Sequence, residues 1–542
     1  MKHTLLLLTL LFSISIITPS VSQTEKGTGF NFNPEAYKNV PYKVKLTAAS
    51  YRGMPASASV EKYAPTPGDQ GNFGTCVAFA VAYHARTIMT AKLKNLTNTY
   101  DINKLIHSPT WVYENIKNKT DDKCQEGTDP TLAFELMLKK GCATISALPY
   151  ACGGSITTKS KESALDFMIE DFQTIVPFDE KDLDSKIEAT KKALAEGNPV
   201  VIGFILPESF YRTGALWEPK STDGGPSGKH GRHAMCVVGY DDYKHGGAFR
   251  VLNSWGAKWA DGGYVWIKYK DYATYLMAAW QGIPAPLYET EPVEPTKPVV
   301  VKPEPKPTPV VVKPEPQPKP DVKPTPKPEP KPTPVVIKPE PKPEPKPIQK
   351  VKLEGLVEFK TNTGEAMIAN KILTRNLIVE DDKPSNNYKE DLVAYRMGKS
   401  YSSGTKFRFF LNSNTESYIY AFATDLSGKV NKILPFADNM SSHIGANSQI
   451  AFPSETKVIK MDENKGTDYL LILFSAEKLD ANVMLEKMNA VKGGLSSKIA
   501  AALGDKLILP SNVKYKLNEV GFNVDGTVKG KVVPLMVEIS HE

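Results

Sequence analysis

Two hydrophobic periods divide residues 51–284 into a helical half and a strand-rich half. Residues 77–83 are an unbroken run of small and apolar side chains without Gly or Pro, which predicts a buried helix. Apolar positions at helical spacing over residues 131–140, followed by Gly141, predict a second helix, and a charged amphipathic pattern over 185–196 predicts a third. Short apolar runs predict strands at 200–206, 234–240, 249–252 and 264–268. We therefore predict an α+β domain over residues 51–284.

The last third of the chain is dominated by strand patterns. Aromatic and apolar runs at 405–412, 418–423 and 469–474, separated by Asn, Ser and Gly, predict strands. Residues 479–503 have a helical pattern that Gly493 and Gly494 interrupt. The sequence shows no His/Cys/Asp cluster there that indicates catalysis. We expect residues 351–542 to form a separate, mostly-β accessory domain that serves in binding or scaffolding.

Residues 285–350 join these two parts through a Pro/Lys/Glu-rich sequence. Positions 291–350 hold 22 of the 43 prolines of the chain. This composition cannot build a core and favours polyproline II, a semi-rigid, solvated spacer. We therefore expect a linker that imposes no fixed interface between the two globular parts. A ligand for proline-binding modules is the competing interpretation.

The N-terminus has the order of segments that is typical of a secretory signal peptide. Lys2 and His3 precede an apolar run over residues 5–17, and small residues follow at 20–22. A membrane anchor is the alternative, but the run is shorter than the ~20 residues of a spanning helix. We predict a signal peptide over residues 1–22, no stable membrane span, and export to the periplasm, cell surface or medium. Residues 23–50 then form a short, polar, extended leader or pro-segment.

Length and charge narrow the class of protein further. A chain of 542 residues holds two or more domains. The formal net charge is +7, but positions 291–350 carry 12 Lys against 8 acidic residues, and Lys2 adds one more positive charge. The folded parts are therefore near neutral, which gives no argument for nucleic acid as a partner.

Five cysteines are present, at positions 76, 124, 142, 152 and 236. Export would permit disulfides, and Cys124, Cys142 and Cys152 are the candidates, with a pairing that the sequence leaves open. Cys236 lies in an apolar strand pattern and is expected to be an inert core thiol. No Cys-x-x-Cys or His-x-x-x-His spacing indicates a metal site, so we expect no metal and no cofactor.

The candidate chemistry begins at Cys76. The cysteine stands at the start of the first predicted helix, where unpaired N–H groups and the helix dipole favour a thiolate. Gln70 precedes it, with Gly71 and Gly74 between them, so that a tight turn can bring the Gln70 amide toward the sulfur. That amide and the Cys76 backbone N–H could together stabilise an oxyanion. A lone buried cysteine is more often a small core residue, so the interpretation depends on partners elsewhere.

Those partners follow in order along the chain. His233 precedes a strand pattern about 160 residues after the cysteine, and the turn Asn253-Ser-Trp-Gly256 comes next. With these three motifs, residues 55–270 resemble the papain-like cysteine peptidase family. The resemblance implies a helical lobe, a β-barrel-like lobe and an active site between them that hydrolyses peptide bonds in proteins or peptides.

The resemblance also implies a role for each matching residue. Cys76 is the implied nucleophile, and His233 is the base that pairs with it as an imidazolium and later protonates the leaving amine. Asn253 orients the imidazole, Trp255 shields the Asn–His hydrogen bond from water, and Gln70 donates to the oxyanion.

Four further positions bear on the resemblance. Gly127 falls where the backbone of the family pairs with an extended substrate, although a helix-capping turn at Thr128 or Asp129 explains it as well. Phe73 stands where the family usually has a second cysteine, Val77 where it has Trp, and Arg232 where an acidic residue often precedes the base. None of these three departures removes a group that the reaction requires.

Two classes of function remain open. The first is a bacterial, secreted cysteine endopeptidase, and the second is a surface binding protein whose papain-like domain keeps only vestigial chemistry. The family commonly carries a longer helical pro-segment across its cleft, so either the short leader blocks the cleft or the enzyme has no zymogen step. Residues 404–436 are similar to an uncharacterised β-rich domain of exported or envelope-associated bacterial peptidases, which implies an envelope or surface partner.

Overall fold

The computed structural model describes residues 26–285, 350–373, 392–426 and 429–542. The predicted signal peptide and nearly all of the predicted linker lie outside these residues. The described residues before position 288 and after position 349 belong to one unit. We refer to residues 26–50 as the leader, to 51–284 as the N-terminal domain and to 350–542 as the C-terminal domain.

The leader and the N-terminal domain contain most of the helices. They are α1 (Pro34–Asn39), α2 (Ala48–Arg52), α3 (Cys76–Ala78), α4 (Thr87–Leu93), α5 (Thr99–Asn103), α6 (Pro109–Ile116), α7 (Pro130–Lys140), α8 (Thr158–Leu165), α9 (Leu183–Ala195), α10 (Glu208–Tyr211) and α11 (Tyr269–Tyr275), with short 3₁₀ turns at Glu61–Tyr63, Ser221–Asp223 and Lys244–Gly246. A π-helical segment, Phe79–Arg86, joins α3 to α4, so one continuous helix runs from Cys76 to Leu93. The three helices predicted from the sequence are therefore present, as this long helix, α7 and α9.

The strands of the N-terminal domain form one sheet. They are β1 (Ser57–Ser59), β2 (Ile169–Thr174), β3 (Val200–Leu206), β4 (Leu216–Trp217), β5 (Gly231–Asp241), β6 (Ala248–Leu252), β7 (Tyr264–Lys268) and β8 (Leu276–Pro284), in the order β2-β8-β3-β5-β6-β7-β4 with β1 on β5. Strands β5 and β6 are antiparallel, and Cys236 lies opposite Leu252. This register brings the residue that follows β6, Asn253, toward the start of β5, where His233 lies.

Two hydrophobic cores lie on opposite sides of this sheet. The long helix from Cys76 is buried in the first core, together with α6, α7 and side chains of β5 and β8. Helices α9 and α11 cover the second core. Burial of the long helix on nearly every side explains why residues 76–82 show no polar stripe.

The C-terminal domain has its own cores and is mostly β, as predicted. Its strands are β9 (Lys350–Thr361), β10 (Ala369–Leu373), β11 (Val393–Met397), β12 (Lys406–Ser413), β13 (Ser417–Thr424), β14 (Asn431–Leu434), β15 (His443–Ile444), β16 (Ser448–Phe452), β17 (Ile459–Lys460), β18 (Gly466–Ser475), β19 (Lys514–Tyr515), β20 (Val520–Thr527) and β21 (Val532–His541). They form two sheets, ordered β10-β11-β21-β18-β13-β14 and β16-β12-β9-β20-β19. The predicted helical pattern is α12 (Ala481–Ala490) and α13 (Leu495–Leu503), separated at the two glycines as expected. Side chains between the sheets and under these helices form the two cores.

The leader differs from the extended segment that its polarity predicts. It contains α1, which Asn33 caps through its side chain with Pro34 at the first position, and the start of α2. Phe30 and Tyr37 belong to the core around the long helix, whereas Leu46 is buried in the core of the C-terminal domain. The leader therefore packs on both domains.

The expectation that no fixed interface joins the two domains is wrong. Lys478 Nζ of the C-terminal domain lies 2.7 Å from the Asp171 carboxylate of the N-terminal domain, and Lys192 Nζ donates to the Asn447 carbonyl at 3.1 Å. The leader adds a β-bridge from Tyr42 to Met440. The expectation considered only the Pro-rich linker, whereas these contacts come from the leader and from the faces of the domains.

The structure resolves the cysteine pairing that the sequence left open. Cys124 and Cys152 form a disulfide with Cα atoms 5.9 Å apart. Cys76, Cys142 and Cys236 are free and buried. Within the described ranges, no helix combines the length and the apolar character that crossing a membrane requires.

Candidate active site

Cys76 is the first residue of the long buried helix. Thr75, which precedes the helix, has a non-helical ψ of 15°, so the chain turns sharply into the helix at this point. The Cys76 side chain has no solvent exposure. The Ala234 backbone N–H of β5 donates to its sulfur at 3.5 Å. The helix N-terminus and the strand that carries His233 therefore meet at the thiol.

His233 and Asn253 are joined by a hydrogen bond, as predicted. Nε2 of His233 lies 2.8 Å from Oδ1 of Asn253, and both residues are completely buried. The same Asn253 oxygen accepts the backbone N–H of Ser254 at 2.8 Å, which fixes the amide orientation. The other ring nitrogen, Nδ1, has no hydrogen-bond partner among the described residues. Because Nε2 is committed to the amide, Nδ1 is the nitrogen that can exchange a proton with the thiol.

An aromatic stack covers the imidazole. The Trp255 ring centroid lies 4.9 Å from that of His233, and Tyr211 stacks on the outer face of Trp255 at 5.1 Å. This placement agrees with the shielding role that the resemblance implies for Trp255. Tyr211 packs on Trp255 and not on the imidazole itself, and the sequence carried no motif that identified it.

Gln70 is held rigidly beside the start of the helix. Its Nε2 donates to the Phe73 carbonyl at 2.7 Å, and its Oε1 accepts from Ser254 Oγ at 2.6 Å. The Tyr150 hydroxyl donates to the Gln70 backbone carbonyl at 2.9 Å. The Phe73 bond uses one of the two N–H groups of the amide, so the second can act as an oxyanion donor. Ser254 and Tyr150 are positioning residues that sequence reasoning missed, although Ser254 lies within the Asn253 motif.

The leader passes directly over the thiol. The Gly29 carbonyl accepts the Thr128 backbone N–H at 3.0 Å, and the Asn31 N–H donates to the Thr128 carbonyl at 3.0 Å. This pairing is a parallel β-bridge between Phe30 and Thr128. A Cβ added at Gly29 would overlap the Gly74 carbonyl, and one added at Gly127 would overlap the Gly29 carbonyl. The backbones are in direct contact here, with no room for side chains.

Gly127 thus lies at the edge of the cleft. The backbone hydrogen bonds to the leader are made by its neighbour, Thr128. The Gly127 N–H donates to the Tyr113 hydroxyl at 3.2 Å, and its φ of 78° lies in the left-handed region. Asp129 caps α7 through its side chain, which is the alternative that the sequence left open. The two interpretations are compatible, because the helix cap holds Thr128 in place as a strand edge.

Burial opposes charge on both members of the pair. It raises the pKa of the Cys76 thiol to about 12, against backbone N–H groups of Ala234 and Gly29 that favour the thiolate. It lowers the pKa of His233 to about 4, and the bond to Asn253 only partly offsets this effect. Both groups are therefore neutral near pH 7. Burial thus opposes the thiolate that the helix N-terminus favours.

Comparisons with known proteins agree with the motifs. Residues 57–280 match the family described as "Papain family cysteine protease", and residues 400–478 match one described as "Domain of unknown function (DUF4384)". An uncharacterized peptidase C1-like protein of Acanthamoeba polyphaga mimivirus is 29% identical over 226 residues, which are 39% of this chain and 67% of that protein. Cathepsin S of Bos taurus is 28% identical over 206 residues, which are 36% of this chain and 54% of that protein.

A similar solved structure is that of xylellain, a cysteine protease from Xylella fastidiosa. It is 19% identical with a TM-score of 0.38 and covers 48% of this chain and 97% of that chain. The chain spans between about half and two thirds of the length of the curated relatives described above.

Proposed function

Because residues 57–280 belong to the papain family of cysteine proteases, we propose that the chain is a cysteine peptidase that hydrolyses peptide bonds through Cys76. One observation carries the proposal. The His233–Asn253 hydrogen bond of 2.8 Å orients the imidazole, and the backbone N–H of the next residue, Ala234, donates to the sulfur of Cys76 at the helix N-terminus. Proteins and peptides are the proposed substrates.

The arrangement supports nucleophilic acyl transfer. The Cys76 sulfur attacks the carbonyl carbon of the scissile bond, and His233 holds the thiol proton as an imidazolium. The imidazolium then gives this proton to the leaving amine, which leaves a thioester on Cys76. Water adds to the thioester carbonyl as it gives a proton to His233, the C–S bond then breaks to release the carboxylic acid product, and the imidazolium returns the proton to the departing Cys76 sulfur. Asn253 keeps the imidazole in one orientation throughout.

The cleft provides sites for the rest of the substrate. The Gln70 amide and the Cys76 backbone N–H are the proposed donors to the oxyanion that forms during attack. The backbone of Thr128, which now pairs with the leader, is the proposed edge for an extended substrate. Gly127 leaves room for that backbone because it has no side chain.

We also propose that the protein is exported and that the C-terminal domain is a binding module with an envelope or surface partner. The signal-like order of residues 1–22 supports export, and so does the Cys124–Cys152 disulfide, because such bonds persist in oxidising compartments. N-terminal sequencing of protein from the extracytoplasmic fraction should begin near Gln23. Cytoplasmic protein that still starts at Met1 would contradict export.

Peptide hydrolysis tests the central proposal, provided that the leader is first displaced. Gly29→Ala should displace it, because the added Cβ has no space against the Gly74 carbonyl. In this background, under reducing conditions, we expect turnover of fluorogenic peptides that Cys76→Ala and His233→Ala each abolish. Asn253→Ala should lower the rate only partly, because the amide orients the base without reacting.

The matched control is Cys236→Ala, which removes another buried thiol from β5 and should leave turnover intact. Persistent hydrolysis in purified Cys76→Ala protein would rule the mechanism out. A folded Gly29→Ala protein whose Cys76 reacts with an epoxide inhibitor but cleaves no peptide would instead favour a binding protein with vestigial chemistry.

A further inference from the structure

The leader is attached at its first end to the active-site cleft. Residues 29–31 pair with Thr128, and Trp255 Nε1 donates to the Gly27 carbonyl at 3.3 Å. The Phe30 ring is 4% exposed and packs edge-on against Trp280 with centroids 6.2 Å apart. It also fills the space in which a Cβ at Gly203 would lie. Burial of this apolar ring helps to hold the segment in the cleft.

At its other end the leader lies between the two domains as a shared strand. Tyr42 forms β-bridges to Thr174 of the N-terminal domain and to Met440 of the C-terminal domain. The Tyr42 N–H donates to the Asn439 carbonyl at 2.8 Å, and the Ser441 N–H donates to the Tyr42 carbonyl at 2.9 Å. The backbone N–H and C=O groups of this segment therefore find their hydrogen-bond partners in both domains, not in one alone.

The next residues dock on the C-terminal domain. Leu46 is 3% exposed and lies in the core of that domain. The Thr47 N–H donates to the Gln449 carbonyl at 2.9 Å, and the Thr47 hydroxyl donates to Gln449 Oε1 at 3.0 Å. The Ala48 N–H donates to the Glu455 carboxylate at 3.0 Å. We call residues 439–455 the latch surface, because they provide these contacts.

A buried charge cluster closes the same junction. Glu196 forms ion pairs with Lys43 of the leader and with Lys192, and the side chains of all three are less than 10% exposed. Ser448 Oγ of the latch surface donates to Glu196 at 3.3 Å, and Gly445 leaves space for the carboxylate. Removal of one partner from such a cluster leaves an uncompensated buried charge. The cluster therefore favours the arrangement in which the leader and both domains are in contact.

We propose that the latch surface of the C-terminal domain is the receptor for residues 41–50 of the leader and thereby keeps residues 27–33 in the cleft. With its far end fixed, the cleft segment rebinds at a high effective concentration each time it opens. Displacement of residues 41–50 from the latch surface therefore uncovers Cys76. The consequence for activity rests on the proposed function, whereas the access of Cys76 to reagents does not.

Three variants of the full chain test the latch. Leu46→Asp places a carboxylate in the C-terminal core and should release residues 41–50. Thr47→Pro removes two hydrogen bonds to Gln449 without adding charge, and the Thr47 φ of −69° suits proline. Ala49→Asp is the matched control, since it adds the same charge at an exposed leader position. Hydrogen exchange of residues 41–50 shows which variants have lost the contact.

The readout is the rate at which an epoxide inhibitor labels Cys76. We expect labelling at least tenfold faster than in the unchanged chain for Leu46→Asp and Thr47→Pro, approaching the rate of Gly29→Ala, and no change for Ala49→Asp. Labelling at the unchanged rate in either released variant would overturn the latch. Faster labelling without peptide hydrolysis would support the latch and count against the peptidase proposal alone.

Discussion

At the scale of single residues, the proposed oxyanion donor, Gln70, depends on neighbours outside its own motif. Gln70 is completely buried, and Ser254 Oγ fixes its amide by donating to Oε1 at 2.6 Å. Asn253 orients the proposed base, and the next residue in the chain, Ser254, orients the proposed oxyanion donor. The turn from Asn253 to Ser254 therefore serves both halves of the proposed reaction.

The first prediction separates the donor from its positioning residue. In the Gly29→Ala background, Gln70→Ala should lower kcat by about 10²–10³, the usual loss for one oxyanion donor. Ser254→Ala should cost less, since the amide keeps its bond to Phe73, and Ser254→Thr should restore the rate by restoring the hydroxyl. Steady-state kcat and KM measured separately check this. A rise in KM with kcat unchanged in Gln70→Ala would contradict an oxyanion role.

His84 supports a second prediction at this scale. It is completely buried in the long helix, and neither ring nitrogen has a hydrogen-bond partner among the described residues. Burial lowers the pKa of His84 from 6.5 to about 3. The neutral ring therefore contributes fully to stability above pH 6.5, and that contribution is lost as the pH falls through the interval between the two values.

Chemical denaturation at pH 7 and pH 5 measures the effect. The unchanged chain should lose about 2 kcal/mol of unfolding free energy through His84 between these pH values. His84→Leu should remove the part of this loss that comes from His84, while the buried side chains of His107 and His233 continue to contribute to it. His245→Asn, at an exposed position with φ of 52° that Asn tolerates, is the control. If the unfolding free energy of His84→Leu falls between pH 7 and pH 5 by as much as that of the unchanged chain, His84 is not the titrating group.

The proposed reacting residues can be named from the sequence, whereas the shifted pKa values of Cys76 and His233 cannot. Cys76, His233 and Asn253 are recognisable because the chemistry requires these residue types and the family that the sequence resembles has them in this order. Burial raises the pKa of Cys76, and that burial depends on long-range packing that no local pattern predicts. The disulfide likewise required the relative positions of Cys124 and Cys152.

At the scale of elements, the hydrophobic pattern predicted helices and strands correctly where one face or all faces of the element are buried. Strand β3 has the predicted bounds because residues 200–206 are apolar throughout and lie inside the sheet. The π-helical segment at Phe79–Arg86 was not predicted, because its hydrogen bonds leave no mark on residue type. Helix α1 was missed although Asn33 and Pro34 form a recognisable start, since the segment was judged by its polarity.

The disulfide loop gives a prediction at the element scale. Cys124 accepts the Gly74 N–H at 2.6 Å through its carbonyl, so its loop supports the backbone just before Cys76. Cys152→Ser opens the bond across a separation of 28 residues and should destabilise the chain by roughly 3–4 kcal/mol through loop entropy. Thermal unfolding checks this against Cys142→Ala, which removes a free buried thiol. An unchanged melting temperature in Cys152→Ser would show that the bond does not constrain the loop.

At the scale of the whole molecule, the sequence predicted two domains but not their association. Composition separates residues 351–542 from the rest, and each domain has its own cores. The composition of the linker says nothing about the faces of the two domains. The leader and scattered charged residues such as Lys43, Asp171 and Lys478 form the interface. Ion pairs between residues hundreds of positions apart leave no periodic trace in a sequence.

The interface predicts that the two domains remain together when the chain between them is cut. A specific protease site inserted within residues 291–349 would yield a fragment with the leader and N-terminal domain and a second fragment with the C-terminal domain. We expect the fragments to co-elute, because Tyr42 bridges both domains and the ion pairs of Glu196 are buried and weakly screened by salt.

Glu196→Ala should weaken the association of the two fragments at least tenfold, since it leaves the buried ammonium groups of Lys43 and Lys192 without their carboxylate partner. Glu162→Ala, at an exposed position on α8, should leave the association unchanged. Fragments that separate at once on size-exclusion chromatography would mean that the leader alone does not hold the domains together, and the latch would then need the covalent linker to act.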